Sequence, residues 1–267
     1  MVNLVMLGTG HAMVTKCYNT CFIIETDKGS IMVDAGGGNT ILTQVEKSGI
    51  DWSEIKALFI THAHTDHIIG CIWVLRQINS LMKHGKYSDS FKVYGIAENL
   101  EYLKYSCSFL LSDCLNDNIH FIPISDGHKF SECNIDFEAF DIASVKKQQL
   151  GFKAFIREND KEIRLACLGD EPYHDVCERH VKNADWLLSE AFCLHSEKDL
   201  FHPYEKCHST AYDAGIVAKA LNVKNLLIYH TEDSDLANRS AKYTAEAKQN
   251  FDGNIFVPND LEVIGIL

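Results

Sequence analysis

Residues 60–70 read ITHAHTDHIIG and place His62, His64, Asp66 and His67 within six positions. At neutral pH an imidazole offers an uncharged nitrogen lone pair and an aspartate a hard anionic oxygen. That donor set suits a divalent first-row cation, Zn2+ first, with Mn2+ or Fe2+ as substitutes. A lone histidine on an apolar face is ordinarily a satisfied core residue. Four ligand-type side chains in six positions, directly after an apolar run, are not explained by packing. On a tight loop past a strand end, residues 62 and 64 can point one way and 66 and 67 another, so one short segment could feed two metal positions.

Such a loop needs a strand before it, and IKALFIT (55–61) supplies one. Short Ile/Val/Leu/Phe-rich runs bounded by glycine or polar turns predict further strands near 2–7, 20–26 and 30–34. Apolar residues at helical spacing predict helices over 39–49, ending at a glycine, and over 68–83. The middle of the chain reads as short strands with one helix near 97–111. The last third alternates: strand 163–168, helix 173–181, strand 185–189, helix 209–221, strand 224–229, helix 236–249 and a terminal strand. Strands lead, helices intervene, and the second half repeats the order. This predicts an α/β fold of two sheets packed face to face with helices outside, in a single domain over residues 1–267.

With 267 residues, 46% of them hydrophobic, the chain can bury a large core. It has no run of the ~18 apolar residues that a membrane span requires. Its start, MVNLVMLGTGHAMV, lacks the basic and apolar regions of a signal peptide, so a cytoplasmic protein is expected. The ten cysteines are scattered singly without a C-x-x-C pair and read as small core residues, none of them a metal ligand. A formal net charge of −12 weighs against a general nucleic-acid binder, though not against an enzyme with one basic pocket.

The segment THAHTDH matches the H-x-H-x-D-H signature of the metallo-β-lactamase superfamily. MLGTG, IMVDAGGG, ACLGDE, LSEAFC, CHSTAYDAG and LLIYHTED, in that order, resemble the ribonuclease Z-like branch along the whole chain. The resemblance implies a four-layer αββα sandwich of two mixed β-sheets flanked by helices. It also implies two metal sites: His62 and His64 on the first ion, Asp66, His67 and His230 on the second, and Asp170 bridging both. Two ions about 3.5–4 Å apart would lower the pKa of a bound water and present hydroxide to a phosphorus or carbonyl carbon. Asp66 would also orient that nucleophile. His208 matches the branch's proton donor to the leaving oxygen, with Glu190 as its acidic partner.

Taken as residues alone, other readings stay open. Asp170 could cap the helix expected at 173, His230 could simply end a buried strand, and His208 could precede a helix capped by Ser209 or Thr210. Lys206 reads as a solvated lysine, with a phosphate contact as its alternative. His11 stands near the site or on the surface. His84, His120, His128, His174, His180, His195 and His202 read as ordinary, and VKKQQ as a polar loop.

Two departures from the branch bear on function. The third histidine of the first metal site is missing from FDIASVKKQQLGF; the vacancy falls at Ala143, with Ser144 or Val145 as alternatives. Asp141 is the nearby residue that could compensate. The first site should therefore hold metal more weakly, or with extra water. The long basic arm that grips transfer RNA is also absent, since GFKAFIRENDKEIRLACLGD has room only for a hairpin. The expectation is a metal-dependent, phosphodiesterase-like hydrolase acting on a small phosphodiester, a cyclic nucleotide or another small ester, with folded transfer RNA disfavoured. A carboxylic ester, thioester or lactone hydrolase is the alternative, as is a metal-binding relative of reduced or no activity. The resemblance further implies a homodimer.

Overall fold

In β1 (Asn3–Gly8) Leu4 and Met6 face one way and Val5 and Leu7 the other, yet all four are buried. A strand alternates faces every residue, so apolar side chains on both faces mean that something packs on each side. The computed structural model, which describes residues 2–158 and 161–267, shows what does. The other strands are β2 (Cys21–Thr26), β3 (Gly29–Val33), β4 (Ile55–Phe59), β5 (Phe91–Gly95), β6 (Ile119–Pro123), β7 (Lys129–Glu132), β8 (Ile135–Asp141), β9 (Leu150–Glu158), β10 (Lys161–Cys167), β11 (Trp186–Glu190), β12 (Asn225–Tyr229), β13 (Asn254–Phe256) and β14 (Val263–Gly265). They form two mixed seven-stranded sheets, ordered β14-β1-β2-β3-β4-β5-β6 and β13-β12-β11-β10-β9-β8-β7.

The helices are α1 (Thr40–Ser48), α2 (Thr65–Lys83), α3 (Ala97–Leu110), α4 (Glu178–Val181), α5 (Lys198–Phe201), α6 (Ala211–Ala220) and α7 (Leu236–Ala247). Leu4, Met6, Phe22 and Phe59 of the first sheet meet Phe137, Phe152, Leu165 and Leu188 of the second in a shared core. On its other face the first sheet presents Val5, Leu7, Ile23 and Leu58 to Ile41 and Val45 of α1 and to Val74, Leu75 and Ile78 of α2. The second sheet presents Leu187, Leu226 and Ile228 to Ala211 and Ala214 of α6 and Tyr243 of α7. The result is a four-layer αββα sandwich. Each fully buried Leu, Ile or Phe contributes about 1.5–3 kcal/mol, so these three clusters hold the layers in register.

Four expectations change. Asp66 and His67 lie in the first turn of α2 rather than on a loop, because the His64 carbonyl accepts from the amides of both His67 and Ile68 and starts the helix at Thr65. The helix expected over 173–181 is reduced to a 3-10 turn at Asp175–Cys177 followed by the four residues of α4, since the chain is still extended at His174. The terminal strand is two short strands, β13 and β14, which pair with different sheets. The 209–221 helix begins at Ala211, with Thr210 as its N-cap in a reciprocal capping box with Asp213.

Candidate metal centre

Five strand ends converge here. β3 runs into Asp34, β4 into His62 and His64, β10 into Asp170 and β12 into His230, while β11 ends at Glu190. β3 and β4 are parallel, as are β10, β11 and β12, so within each sheet these ends lie on one edge. Asp34 and His230 both adopt left-handed backbone, at φ 54° and φ 58°. Non-glycine residues hold that conformation only where their surroundings over-determine it.

The structure brings the sequence-selected ligands together. Asp66, His67, Asp170 and His230 each place one donor atom within 4.8 Å of the others, and so do His62, His64 and Asp170. The common vertex is Asp170 Oδ2. It lies 3.5 Å from His62 Nε2, 4.0 Å from His64 Nδ1, 3.5 Å from His67 Nε2 and 3.6 Å from His230 Nε2. Asp66 Oδ2 is 3.4 Å from His67 Nε2. These separations are long for hydrogen bonds. They match two donors that each stand about 2.0–2.2 Å from one tetrahedral ion, which are roughly 3.3–3.6 Å apart. Asp66 Oδ2 and His67 Nε2 are buried without a hydrogen-bond partner, a costly arrangement unless a cation completes it. The residues present fit a divalent cation.

The electrostatics agree. Burial pushes the His62 imidazole down to about 4 and holds His230 well below its ordinary value, so both offer neutral lone pairs. Burial acts against charge on His67 too, but there the Asp66 and Asp34 carboxylates outweigh it and raise its pKa. The two carboxylates thus favour positive charge at this ring. Burial disfavours ionised Asp66 and Asp170, yet the neighbouring imidazoles overcome it and keep both carboxylates ionised.

Four supporting residues carry no site role in the sequence reading. Asp34 Oδ1 accepts from the Thr61 amide at 2.8 Å, and Oδ2 accepts from Thr61 Oγ1 and from His67 Nδ1, both at 2.7 Å. With its proton on Asp34, the Thr61 hydroxyl accepts from His62 Nδ1 at 2.9 Å, which leaves the lone pair of His62 Nε2 facing the cluster, where it accepts from His64 Nδ1 at 2.8 Å. Asp34 can reach α2 because Gly70 packs on the 35–36 turn, where a Cβ would strike the Ala35 carbonyl. Gln149, fully buried, donates from Nε2 to Asp170 Oδ1. Glu171, also fully buried, accepts from Ser144 Oγ at 2.7 Å and from the Val145 amide at 3.2 Å. The one available signal was IMVDAGGG, an acid directly after five buried strand residues.

A cavity of about 790 Å³ opens over the cluster, lined by His64, Asp66, Asp170, His208 and His230 among others. His208 Nδ1 lies 3.5 Å from Glu190 Oε2, and its ring stacks on Phe192. Glu190 is fully buried, and its Oε1 accepts from the Ser209 amide at 2.7 Å. His11 is buried on the cavity wall, with Nε2 3.0 Å from Glu232 Oε1. Lys206 also lines the cavity, its ammonium 4.8 Å from the centre of the Phe192 ring.

Two expectations about the 141–149 stretch are corrected. Asp141 does not compensate for the missing histidine: its oxygens accept from the Ala143 amide and from Gln148 Nε2, within its own loop. VKKQQ is more than a polar loop, since Lys146 and Lys147 line the cavity and Gln149 grips Asp170. Ala143 itself is exposed and offers no donor.

A family model described as anti-Pycsar protein Apyc1 matches residues 2–167. A ribonuclease Z of Nitrosopumilus maritimus is 25% identical over 98% of this chain and 99% of its own length. A ribonuclease Z of Thermococcus sibiricus is 26% identical over 99% and 96%. Among solved structures, the metallo-β-lactamase fold protein YhfI of Bacillus subtilis superposes with a TM-score of 0.80 at 16% identity, over 98% of both chains. Human short-form tRNase Z gives 0.77 at 19% identity, over 99% of both. The fold is the metallo-β-lactamase fold, and the sequence relatives are ribonuclease Z-like.

Proposed function

From the premise that this chain belongs to the anti-Pycsar protein Apyc1 family, we propose that it is a metal-dependent hydrolase of small phosphodiesters, a cyclic nucleotide being a fitting example, built as one metallo-β-lactamase-like domain over residues 1–267. The observation that carries this reading is the convergence of His62, His64, Asp66, His67 and His230, from segments far apart in the chain, around Asp170. His62, His64 and Asp170 would hold one divalent cation, and Asp66, His67, Asp170 and His230 a second. Zn2+ is favoured by the donor set, with Mn2+ or Fe2+ as substitutes. Such ions, when bound, supply a water nucleophile at neutral pH and offset charge on phosphoryl oxygens. The first site, with no donor from residue 143, is the weaker.

The chain's own groups do the rest. Asp66 binds and also orients the attacking water. His208 faces the cavity and hands a proton to the departing oxygen, with buried Glu190 as its acidic partner, Oε2 standing 3.5 Å from Nδ1. The cavity's volume lies within the range of about 300–1,000 Å³ usual for small-molecule sites. Among the described residues β9 and β10 pair up to Glu158 opposite Lys161, which supports a reading without a long RNA-gripping arm. We accordingly assign transfer RNA no part as substrate, and take self-pairing as a homodimer to be the natural assembly.

Hydrolysis of bis(4-nitrophenyl) phosphate tests the proposal. Wild-type turnover that disappears in His64→Ala supports it. Turnover of acyl esters without phosphodiester cleavage would replace it with a carboxylic ester hydrolase. One bound ion per chain and no turnover would make the protein a metal-binding relative.

A further inference from the structure

The wall of the cavity is acidic as well as metal-binding: Asp66, Asp170, Glu232 and Asp233 all line it, in a chain of net charge −12. An anionic ester bound there faces these carboxylates as well as any cation. The cations that face it are Lys146, Lys147 and Lys206. Of these, Lys146 stands apart by position, with Nζ 3.3 Å from His208 Nε2. An ammonium can only donate, so Nε2 accepts here. When His208 carries the proton meant for the leaving oxygen, the ammonium must turn to another acceptor, and the phosphoryl oxygens of a bound diester would lie beside it.

The segment that carries it is held in place. Ser144 and Val145 are tied to buried Glu171, the neighbour of Asp170, and the Lys146 amide donates to Ser144 Oγ at 3.2 Å. Ala143 turns the chain through left-handed backbone at φ 59°, its amide capped by Asp141. The stretch that lacks a metal-binding histidine is thus shaped to deliver a cation to the same cavity.

We propose that Lys146 is the anion-binding, specificity-determining residue of this site: its ammonium binds a non-bridging oxygen of the phosphodiester and makes the cavity select phosphate esters over neutral ones. Glu171 is a positioning residue that acts through the 143–146 turn. The substrate class rests on the phosphodiesterase reading, but the anion site does not require turnover. A charge-assisted hydrogen bond lost from such a site weakens binding about tenfold or more.

The test compares wild type, Lys146→Gln and Lys146→Arg, all metal-loaded. Two quantities are read: the affinity for inorganic phosphate by calorimetry, and KM and kcat for bis(4-nitrophenyl) phosphate and for neutral 4-nitrophenyl acetate. Lys146→Gln is expected to lose about tenfold or more in phosphate affinity. Its phosphodiester KM should rise by a similar factor, with kcat changed far less and the acetate KM unchanged. Lys146→Arg should restore most of the affinity. Wild type that binds no phosphate, or Lys146→Gln that binds it as tightly as wild type, overturns the proposal. Wild type that cleaves no phosphodiester yet binds phosphate through Lys146 leaves the anion site standing and removes the phosphodiesterase reading instead.

Discussion

The carboxamide of Gln149 grips Asp170 at two points: Nε2 donates to Oδ1, and Oε1 accepts from the Asp170 backbone amide at 3.3 Å. One carboxylate oxygen is thereby anchored, and the other, Oδ2, is left facing four imidazoles. In the bridging role proposed for it, Asp170 would use that division of labour between its two oxygens. Gln149→Leu keeps the approximate volume and removes both contacts. Zinc affinity should fall about 10–100-fold, as is usual when a group orienting a ligand is lost. The unpaired buried amide should also lower stability by about 1–3 kcal/mol. Competition with a chromophoric chelator measures the first effect and urea unfolding the second. Unchanged affinity would mean that Asp170 needs no such anchor.

Asp34 reaches two of the proposed ligands at once, His67 directly and His62 through the Thr61 hydroxyl. Asp34→Asn keeps the shape but weakens both hydrogen bonds. A loss of about tenfold or more in metal affinity is expected, falling on both ions because the two histidines serve different sites. A loss confined to one ion, resolved by titration, would show that the Thr61 relay carries no weight.

On the reading proposed above, Ala143 stands where a third donor to the first ion is missing. Its left-handed backbone, at φ 59°, is one that histidine tolerates better than β-branched residues do. Ala143→His should therefore fold and should raise the affinity of the weaker ion about tenfold. Unchanged binding of both ions would put the missing donor at another position.

Asp185 offers a test of the scaffold away from the metal cluster. Its carboxylate accepts from the Arg164 amide at 2.8 Å and pairs with Lys224 at 2.6 Å, joining β10 to the turn before β12. Burial works against ionisation, but these partners outweigh it and hold the carboxyl below the ordinary carboxylate range. A pKa lower in the folded than in the unfolded chain stabilises above the unfolded value, and that gain is lost as pH falls through the folded one. Asp185→Asn should cost about 1 kcal/mol at pH 7, and the difference should close as the pH is lowered below the folded pKa. Urea unfolding at both ends of that range reads it, and a pH-independent difference would contradict the assignment.

What the sequence discloses of this site follows from how its residues are coupled. His62, His64, Asp66 and His67 are legible because they are contiguous and because packing gives no reason for them. Asp170 and His230 are legible as polar residues directly after buried strands within a known order of motifs. Asp34, Thr61, Gln149 and Glu171 are not, because each acts through an approach made only in three dimensions, such as α2 against the 35–36 turn at Gly70. The layers of the fold could be read from strand and helix order. The start of α2 could not, because histidine and threonine carry little helical preference and the His64 carbonyl decides it. Lys146 was hidden in VKKQQ, where polarity alone reads as solvent-facing loop.

Anomalous diffraction at the zinc edge from crystals of the zinc-loaded protein tests the metal centre most directly. The expected map has two peaks about 3.5–4 Å apart on either side of Asp170. One lies against His62 and His64 with the lower occupancy, and the other against Asp66, His67 and His230. A map with no peak among these side chains, or with zinc bound only elsewhere on the chain, would contradict it.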